Sequence, residues 1–406
     1  MSSQLRRRPR AALARHTTAP RRVTRPRRSA ATRLRRTTAI RPLRAFASRR
    51  SLWLALAATA LALLFAAPAG AAVSLVPPKP DVLLGVSDRG STEEFNAFAE
   101  LTGKHPALME TFLGWGNSVN KAFERWRETQ TRPVVAISTQ NAQTLEEIIT
   151  PEQIALGAGD DYLLQLNSFF ATHNLPAYIR PLGEPNRCLN AWAGVECDGT
   201  LKGGEHSAFW YKMAFRRIVA IVRGGLSLEG INAELAELGL PPLARTKGED
   251  PEALPVAPVS IIWSPLPAGS PRVKGNFPGN YWPGSKWVDW VGTDFYAKYP
   301  VWEDLNHFYE AKQWKNKPIA ITEWAMQEND EPKFVNQLIS WIVRHKRVQM
   351  LNYYQGFGPG NTYELALYPQ TAAAYRTKIR RANFLSYAEY NAGILPPLPP
   401  KEKKPQ

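Results

Sequence analysis

Cysteine is nearly missing from this 406-residue chain, which has two, Cys188 and Cys197, nine positions apart. Two thiols cannot staple a small fold together, and with no histidine beside them they make a poor zinc site. If the chain is exported, a local disulfide between them is expected; two free thiols in a loop are the alternative. Acidic residues are absent from positions 1–50, which hold 17 Arg. Setting those aside leaves 34 basic against 35 acidic residues, so the net charge of +16 belongs to the leading segment and the rest is close to neutral. An Arg-rich arm binds phosphate without sequence preference, but no reader domain accompanies it and no nucleic-acid partner is expected. No Gly-rich phosphate loop follows the first strand-like run, where Ser87-Asp88-Arg89-Gly90 stands instead, which argues against an open nucleotide-binding sheet. No internal repeat is present, and the apolar stretch 52–65 is short for a membrane span.

What is present divides the chain into five parts. Residues 1–50 read as an Arg-rich extension without a fold. Residues 51–72 read as a signal peptide or signal anchor, with an apolar stretch and a small-residue site at Ala69-Gly70-Ala71. Cleavage after Ala71 is expected, with an uncleaved anchor through residues 52–66 as the alternative contact with a membrane. A linker at 73–80 leads to a domain at 81–388, and a Pro/Lys-rich tail at 389–406 has no core potential. These segments predict a secreted or extracytoplasmic monomer. Hydrophobic residues at 44% supply ample material for one large core.

From residue 81 the pattern alternates strand and helix. Apolar runs at 81–86, 107–112, 133–138, 177–181, 259–263, the middle of 287–296, 319–323 and 348–354 predict eight strands. Ser91 followed by Glu94 predicts a capped helix, and helical spacing recurs at 158–173, 206–223, 228–238 and 369–381. Eight apolar strands with intervening helices predict an α/β fold, a (β/α)8 TIM barrel in a single domain.

Glu184 closes the fourth strand and Glu323 closes the seventh. In such a barrel, chemistry happens at that edge of the sheet. Two carboxylates converging there suit glycoside cleavage, which needs an acid for the leaving oxygen and a carboxylate on the opposite face of the sugar. Alternation places Arg180, Leu182 and Glu184 on one face, provided the strand stays regular. Arg180 could hold a nucleophile ionised or form a structural salt bridge. Asn186 suits a sugar hydroxyl or a turn. Trp192, Trp263, Trp282, Trp324 and Tyr354 fall at strand ends or adjoining loops, where aromatic rings serve either as sugar platforms or as core.

Three segments carry a family resemblance, and they occur in the family's order and spacing: Arg180-Pro181-Leu182-Gly183-Glu184-Pro185-Asn186, the stretch from Tyr281-Trp282-Pro283-Gly284 to Asp294-Phe295-Tyr296, and Lys317-Pro318-Ile319-Ala320-Ile321-Thr322-Glu323. Together they resemble glycoside hydrolase family 26 over roughly residues 81–385. The resemblance implies a retaining enzyme without a cofactor, acting on a polysaccharide and most often on β-1,4-mannan. It implies Glu184 as acid/base, Glu323 as nucleophile and Tyr296 as hydrogen-bond donor to the nucleophile. Asn186 and Trp192 would line the cleft, and Tyr353 or Tyr354 would lie under the reactive sugar. β-Glucan, xylan and exopolysaccharide are rival substrates, and a non-catalytic carbohydrate-binding barrel is a rival role. The chain departs from the family in having Gly183 where histidine usually precedes the acid. It also departs in placing Trp192 further on, with the cysteine loop in between.

Overall fold

The computed structural model describes residues 75–244, 252–358 and 360–388. The Arg-rich extension, the signal segment and the C-terminal tail lie outside the described residues. Eight parallel strands run in chain order around a closed barrel: β1 (Val82–Ser87), β2 (Leu108–Leu113), β3 (Arg132–Ile137), β4 (Ala177–Pro181), β5 (Val259–Trp263), β6 (Trp290–Asp294), β7 (Ile319–Trp324) and β8 (Val348–Tyr353). Pairing of β1 with both β8 and β2 closes the ring. A two-residue strand, β9 (Phe384–Leu385), adds to β1 at its start. The expected TIM barrel is therefore present. Among the described residues, no helix is long and apolar enough to cross a membrane.

The barrel interior is layered, because pleating sends alternate side chains inward. Leu83, Leu108, Val134, Tyr178, Trp290 and Met350 belong to one buried apolar cluster at the N-terminal end of the strands. Residues 75–77 close that end: the buried Leu75 carbonyl accepts the Tyr178 hydroxyl at 2.7 Å, and the Pro77 carbonyl accepts Gln349 Nε2 at 2.5 Å. The next layer is polar, with Glu110, Arg180 and Asn352 all buried. Room for it comes from Gly85, where a Cβ would stand 1.9 Å from Asn352 Oδ1. A barrel with an apolar floor and a charged upper layer confines its chemistry to the C-terminal mouth.

The helices pack around this ring: α1 (Thr92–Thr102), α2 (Asn120–Thr129), α3 (Pro151–Ala155), α4 (Asp160–Thr172), α5 (Ala208–Arg223), α6 (Leu228–Glu237), α7 (Trp302–Glu310), α8 (Pro332–Arg344) and α9 (Pro369–Ile379). Ser91 caps α1 by accepting the Glu94 amide at 3.3 Å. The reciprocal half of the expected capping box is replaced, since Glu94 turns to Arg89 at 3.2 Å. A full capping box forms instead at Thr150 and Gln153, at the head of α3. Between α4 and α5, Arg217 and Asp160 make a fully buried pair, with Nε to Oδ1 at 2.7 Å and Nη2 to Oδ2 at 2.5 Å.

Candidate active site

At the C-terminal mouth a cavity of about 560 Å³ is lined by Glu184, Glu323, Asp294, Tyr296, Tyr354 and Arg187, together with the loop 266–270 and other residues. The two glutamates singled out in the sequence thus face one cavity. They reach it by different local devices.

Glu184 does not sit on a regular strand. β4 ends at Pro181, and both Leu182 (φ 50°) and Glu184 (φ 49°) are left-handed. Such a conformation costs a side-chain-bearing residue on the order of 1–2 kcal/mol and persists only where surrounding contacts impose it. Those contacts are visible: the Leu182 amide donates to Ile137 O at 2.8 Å and the Glu184 amide to Ser264 O at 2.7 Å. The expected alternation of Arg180, Leu182 and Glu184 on one face therefore fails. Leu182 packs in the apolar layer between barrel and helices, and its carbonyl accepts the Tyr211 hydroxyl at 3.2 Å. Gly183 crosses directly over Arg180, where a Cβ would lie 2.9 Å from the guanidinium Nη2. A side chain at this position would press on the guanidinium that grips Glu323.

Glu323 is aimed inward by a bulge. The β6–β7 register shifts between Thr293 and Asp294, pairing Asp294 with Glu323, and the β7–β8 register shifts between Ile321 and Trp324. An extra residue in one strand redirects the side chains beyond it. Thr322 and Glu323 both meet interior partners, and Trp324 turns outward.

Arg180 organises the floor of the site. Its Nη1 donates to Glu110 Oε1 at 3.0 Å and to Glu323 Oε1, its Nη2 donates to Asp294 Oδ2, and its Nε donates to Ser264 Oγ at 2.6 Å. Tyr296 donates its hydroxyl to the other Glu323 oxygen, and Thr322 donates to Asp294 Oδ1 at 2.6 Å. One buried guanidinium serving three carboxylates cannot balance them all if each is ionised. Burial, reinforced by the negative charge of Glu323 and opposed by Arg180, pushes Glu110 up to about 8, and burial also raises Asp294. A protonated Glu110 carries a donor. Asn352 Oδ1 is buried without a hydrogen-bond partner while its Nδ2 lies 3.4 Å from Glu110 Oε2, so a flipped amide would present the matching acceptor.

Glu184 has a different environment. Its Oε2 lies 3.1 Å from Arg187 Nη1 and 3.5 Å from Asn190 Nδ2. Burial raises its pKa, Arg187 opposes that shift, and Glu323 adds to it. Of the two carboxylates, Glu323 receives hydrogen bonds from a fixed cation and a phenol. Glu184 is held up by desolvation, which favours the protonated form a general acid requires.

Several predicted binding residues are corrected by their positions. Trp263 and Trp324 are 0% exposed. Pleating turns Trp263 outward onto Trp282 and Trp314, with ring centroids 4.9 and 5.1 Å away. Trp324 packs on Tyr353 and on Tyr375 of α9, at 4.8 and 5.0 Å. Trp282 belongs to the same outer aromatic cluster. Trp192 holds the loop that carries Glu184 rather than the cavity, donating Nε1 to Gly183 O at 2.8 Å. Asn186, 0% exposed, clamps the neighbouring loop by donating to Leu266 O and Ala268 O at 3.0 and 3.2 Å and accepting from Leu266 N at 2.8 Å. Arg180 stays beneath the cavity. Tyr296 and Tyr354 do line it. Cys188 and Cys197 form a disulfide, which closes the loop beside Glu184.

Glu110, Asp294, Arg187 and Asn190 were not singled out from the sequence, nor was Tyr363, which also lines the cavity. Arg187 had a legible signal, three residues after Glu184; Glu110 was hidden within an apolar strand. Among the described residues, no group of three or more His, Cys, Asp and Glu stands where it could hold a metal ion.

Comparison with known proteins places this acidic mouth in context. No family model matches the chain. A β-1,3-xylanase, TXYA, from a Vibrio species is 28% identical over 158 residues, covering 38% of this chain and 27% of that protein. A β-1,3-xylanase from an Alcaligenes species is 28% identical over 158 residues, covering 38% of this chain and 26% of that protein. The matched region thus spans about a quarter of the length of these curated relatives. Among solved structures, the family 26 β-mannanase BoMan26A of Bacteroides ovatus gives a TM-score of 0.52 at 17% identity, covering 81% of this chain and 95% of that one. Mannanase man26 of Bacillus subtilis gives 0.51 at 17% identity, covering 80% and 93%. The chain has the (β/α)8 fold, and it is the fold of family 26 glycoside hydrolases.

Proposed function

We propose that this chain is a retaining glycoside hydrolase of family 26 type, exported by its N-terminal segment and acting on a β-linked polysaccharide. Glu323 is the nucleophile and Glu184 the acid/base. One observation carries the reading: two carboxylates facing a single cavity, one gripped by Arg180 and Tyr296, the other buried beside a lone arginine. In the first step Glu323 bonds to the anomeric carbon as Glu184 gives its proton to the departing glycosidic oxygen. In the second, Glu184 takes a proton from water, whose oxygen replaces Glu323 at that carbon. The proton taken from water restores the Glu184 acid for the next turnover.

Mannan is the leading substrate, supported by the named activity of the solved structures that span most of the barrel. A xylan is the second reading, favoured by the 28% identity to two β-1,3-xylanases. Product analysis on β-1,4-manno-, gluco- and xylo-oligosaccharides and on β-1,3-xylan tests both. Release from manno-oligosaccharides supports the first, and release from xylan alone replaces it with the second. Intact ligands throughout, with binding retained, would mean a carbohydrate-binding barrel instead. Proton magnetic resonance of the first-formed product should show the β anomer, and an α anomer would refute retention.

A further inference from the structure

Arg187 is the one basic residue among the described residues lining the cavity. Its side chain is 40% exposed, whereas that of its partner Glu184 is 12% exposed. The hydrogen bonds its side chain makes leave from Nη1, to Glu184 Oε2 at 3.1 Å and to Asn190 Oδ1 at 3.4 Å. Among the described residues, Nε and Nη2 donate to no protein group. Other cations near the mouth are committed elsewhere. Lys298 pairs with Glu328, Arg89 with Glu94 and Glu364, and Lys202 donates to the carbonyls of Asn190 and Ala191.

The backbone that carries Arg187 is fixed on both sides. Its amide donates to Glu184 O at 3.0 Å, Arg187 bridges Ser270 in parallel, and Cys188 N donates to Ser270 O at 2.8 Å. The disulfide follows at once. A half-exposed ion pair between residues three apart contributes little stability, so stability does not account for a guanidinium held at this place. A guanidinium with one free donor edge, Nε and Nη2, in a cleft does suit a planar carboxylate, which it can grip with two parallel hydrogen bonds.

We infer that Arg187 is a specificity residue whose guanidinium takes a carboxylate carried on the sugar chain, so that the site selects uronate-bearing β-glycans over neutral ones. The inference rests on the β-glycan reading above and narrows its substrate class. The carboxylate lies within about one sugar of the bond cleaved, because the same guanidinium touches Glu184.

The test is calorimetric titration of the full chain carrying Glu323→Gln, so that ligands survive. Ligands come in matched pairs: manno- and gluco-oligosaccharides with and without oxidation of C6 to the carboxylate, and a xylo-oligosaccharide bearing one glucuronate beside its carboxyl-reduced form. In at least one pair the acidic member should bind about tenfold more tightly, as expected of a charge-assisted bidentate contact. Arg187→Gln should abolish that preference, so that the two members of each pair bind alike, and Arg187→Lys should keep part of it. Equal affinities in every pair, no binding of any acidic member, or a preference that survives Arg187→Gln would overturn the inference. Turnover by the unaltered chain separates the two readings. Cleavage without acidic preference removes this inference alone, and acidic preference without cleavage removes the hydrolase reading alone.

Discussion

Three side chains, Arg180, Arg187 and Tyr296, decide what the two glutamates at the mouth do. Arg180 and Tyr296 both donate to Glu323, so a carboxylate there is fully engaged before any sugar arrives. Glu323→Ala should therefore abolish turnover while the circular dichroism spectrum stays that of the folded barrel; an unchanged rate would remove its assignment as nucleophile. Glu184→Ala should lower turnover by about 10²–10⁴-fold, the usual contribution of a positioned proton donor. On an activated aryl glycoside, whose leaving group needs no acid, azide should restore turnover by replacing water in the second step, where it needs no base. Arg187 opposes the burial that raises Glu184. Removing that positive charge in Arg187→Gln leaves only the weaker opposition of Arg180 and Asn190 to desolvation, so the carboxyl holds its proton to higher pH. The alkaline limb of the kcat/KM profile, which reports the essential acid, should move upward. A limb that stays in place or moves down would mean that another group is the acid.

At the scale of elements, the site depends on irregularities at two strand ends. The left-handed pair Leu182 and Glu184 ends β4, and the bulge ends β7. Glu184 and Glu323 both looked like simple strand-end residues in the sequence, and their convergence at one cavity matches that expectation. The route to it differs. A regular β4 was expected to carry Glu184, and a regular β7 would have kept Trp324 inward. Nothing in a linear pattern distinguishes Trp324 as platform from Trp324 as core, because the bulge depends on pairing with β6 and β8. The loop after Glu184 is held by Cys188–Cys197, whose cysteines stand nine positions apart. In the chain-entropy account a closed loop of this size is worth about 2.5 kcal/mol. Replacing both cysteines by serine should lower the melting temperature correspondingly and loosen Arg187, and an unchanged melting temperature would show the loop to be ordered without it. Outside the barrel, Asp160→Asn should cost about 3–5 kcal/mol by leaving Arg217 buried and uncompensated. Chemical denaturation measures that loss.

For the whole molecule, the charged layer makes stability depend on pH. Glu110 is pushed up to about 8 from its ordinary 4.5, chiefly by burial. Between those values the folded chain holds a proton that the unfolded chain has released, so stability falls as pH rises. The contribution is complete below about 4.5 and is lost as pH passes through about 8. Denaturant unfolding at several pH values should show the unaltered chain losing stability across this window relative to Glu110→Gln. Parallel pH dependences for the two would refute the assignment. The sequence by itself determined the barrel, since eight apolar runs separated by amphipathic segments bury both faces of a parallel sheet in few other ways. It also singled out the two glutamates, a pair of carboxylates at the ends of apolar runs, and the structure brings both to one cavity. Tertiary structure decided which aromatics line the cavity and which are core, that Asn186 clamps a loop, and that Arg180 serves three acids at once. Those facts depend on register shifts and on residues far apart in the chain meeting inside the ring, which no local pattern encodes.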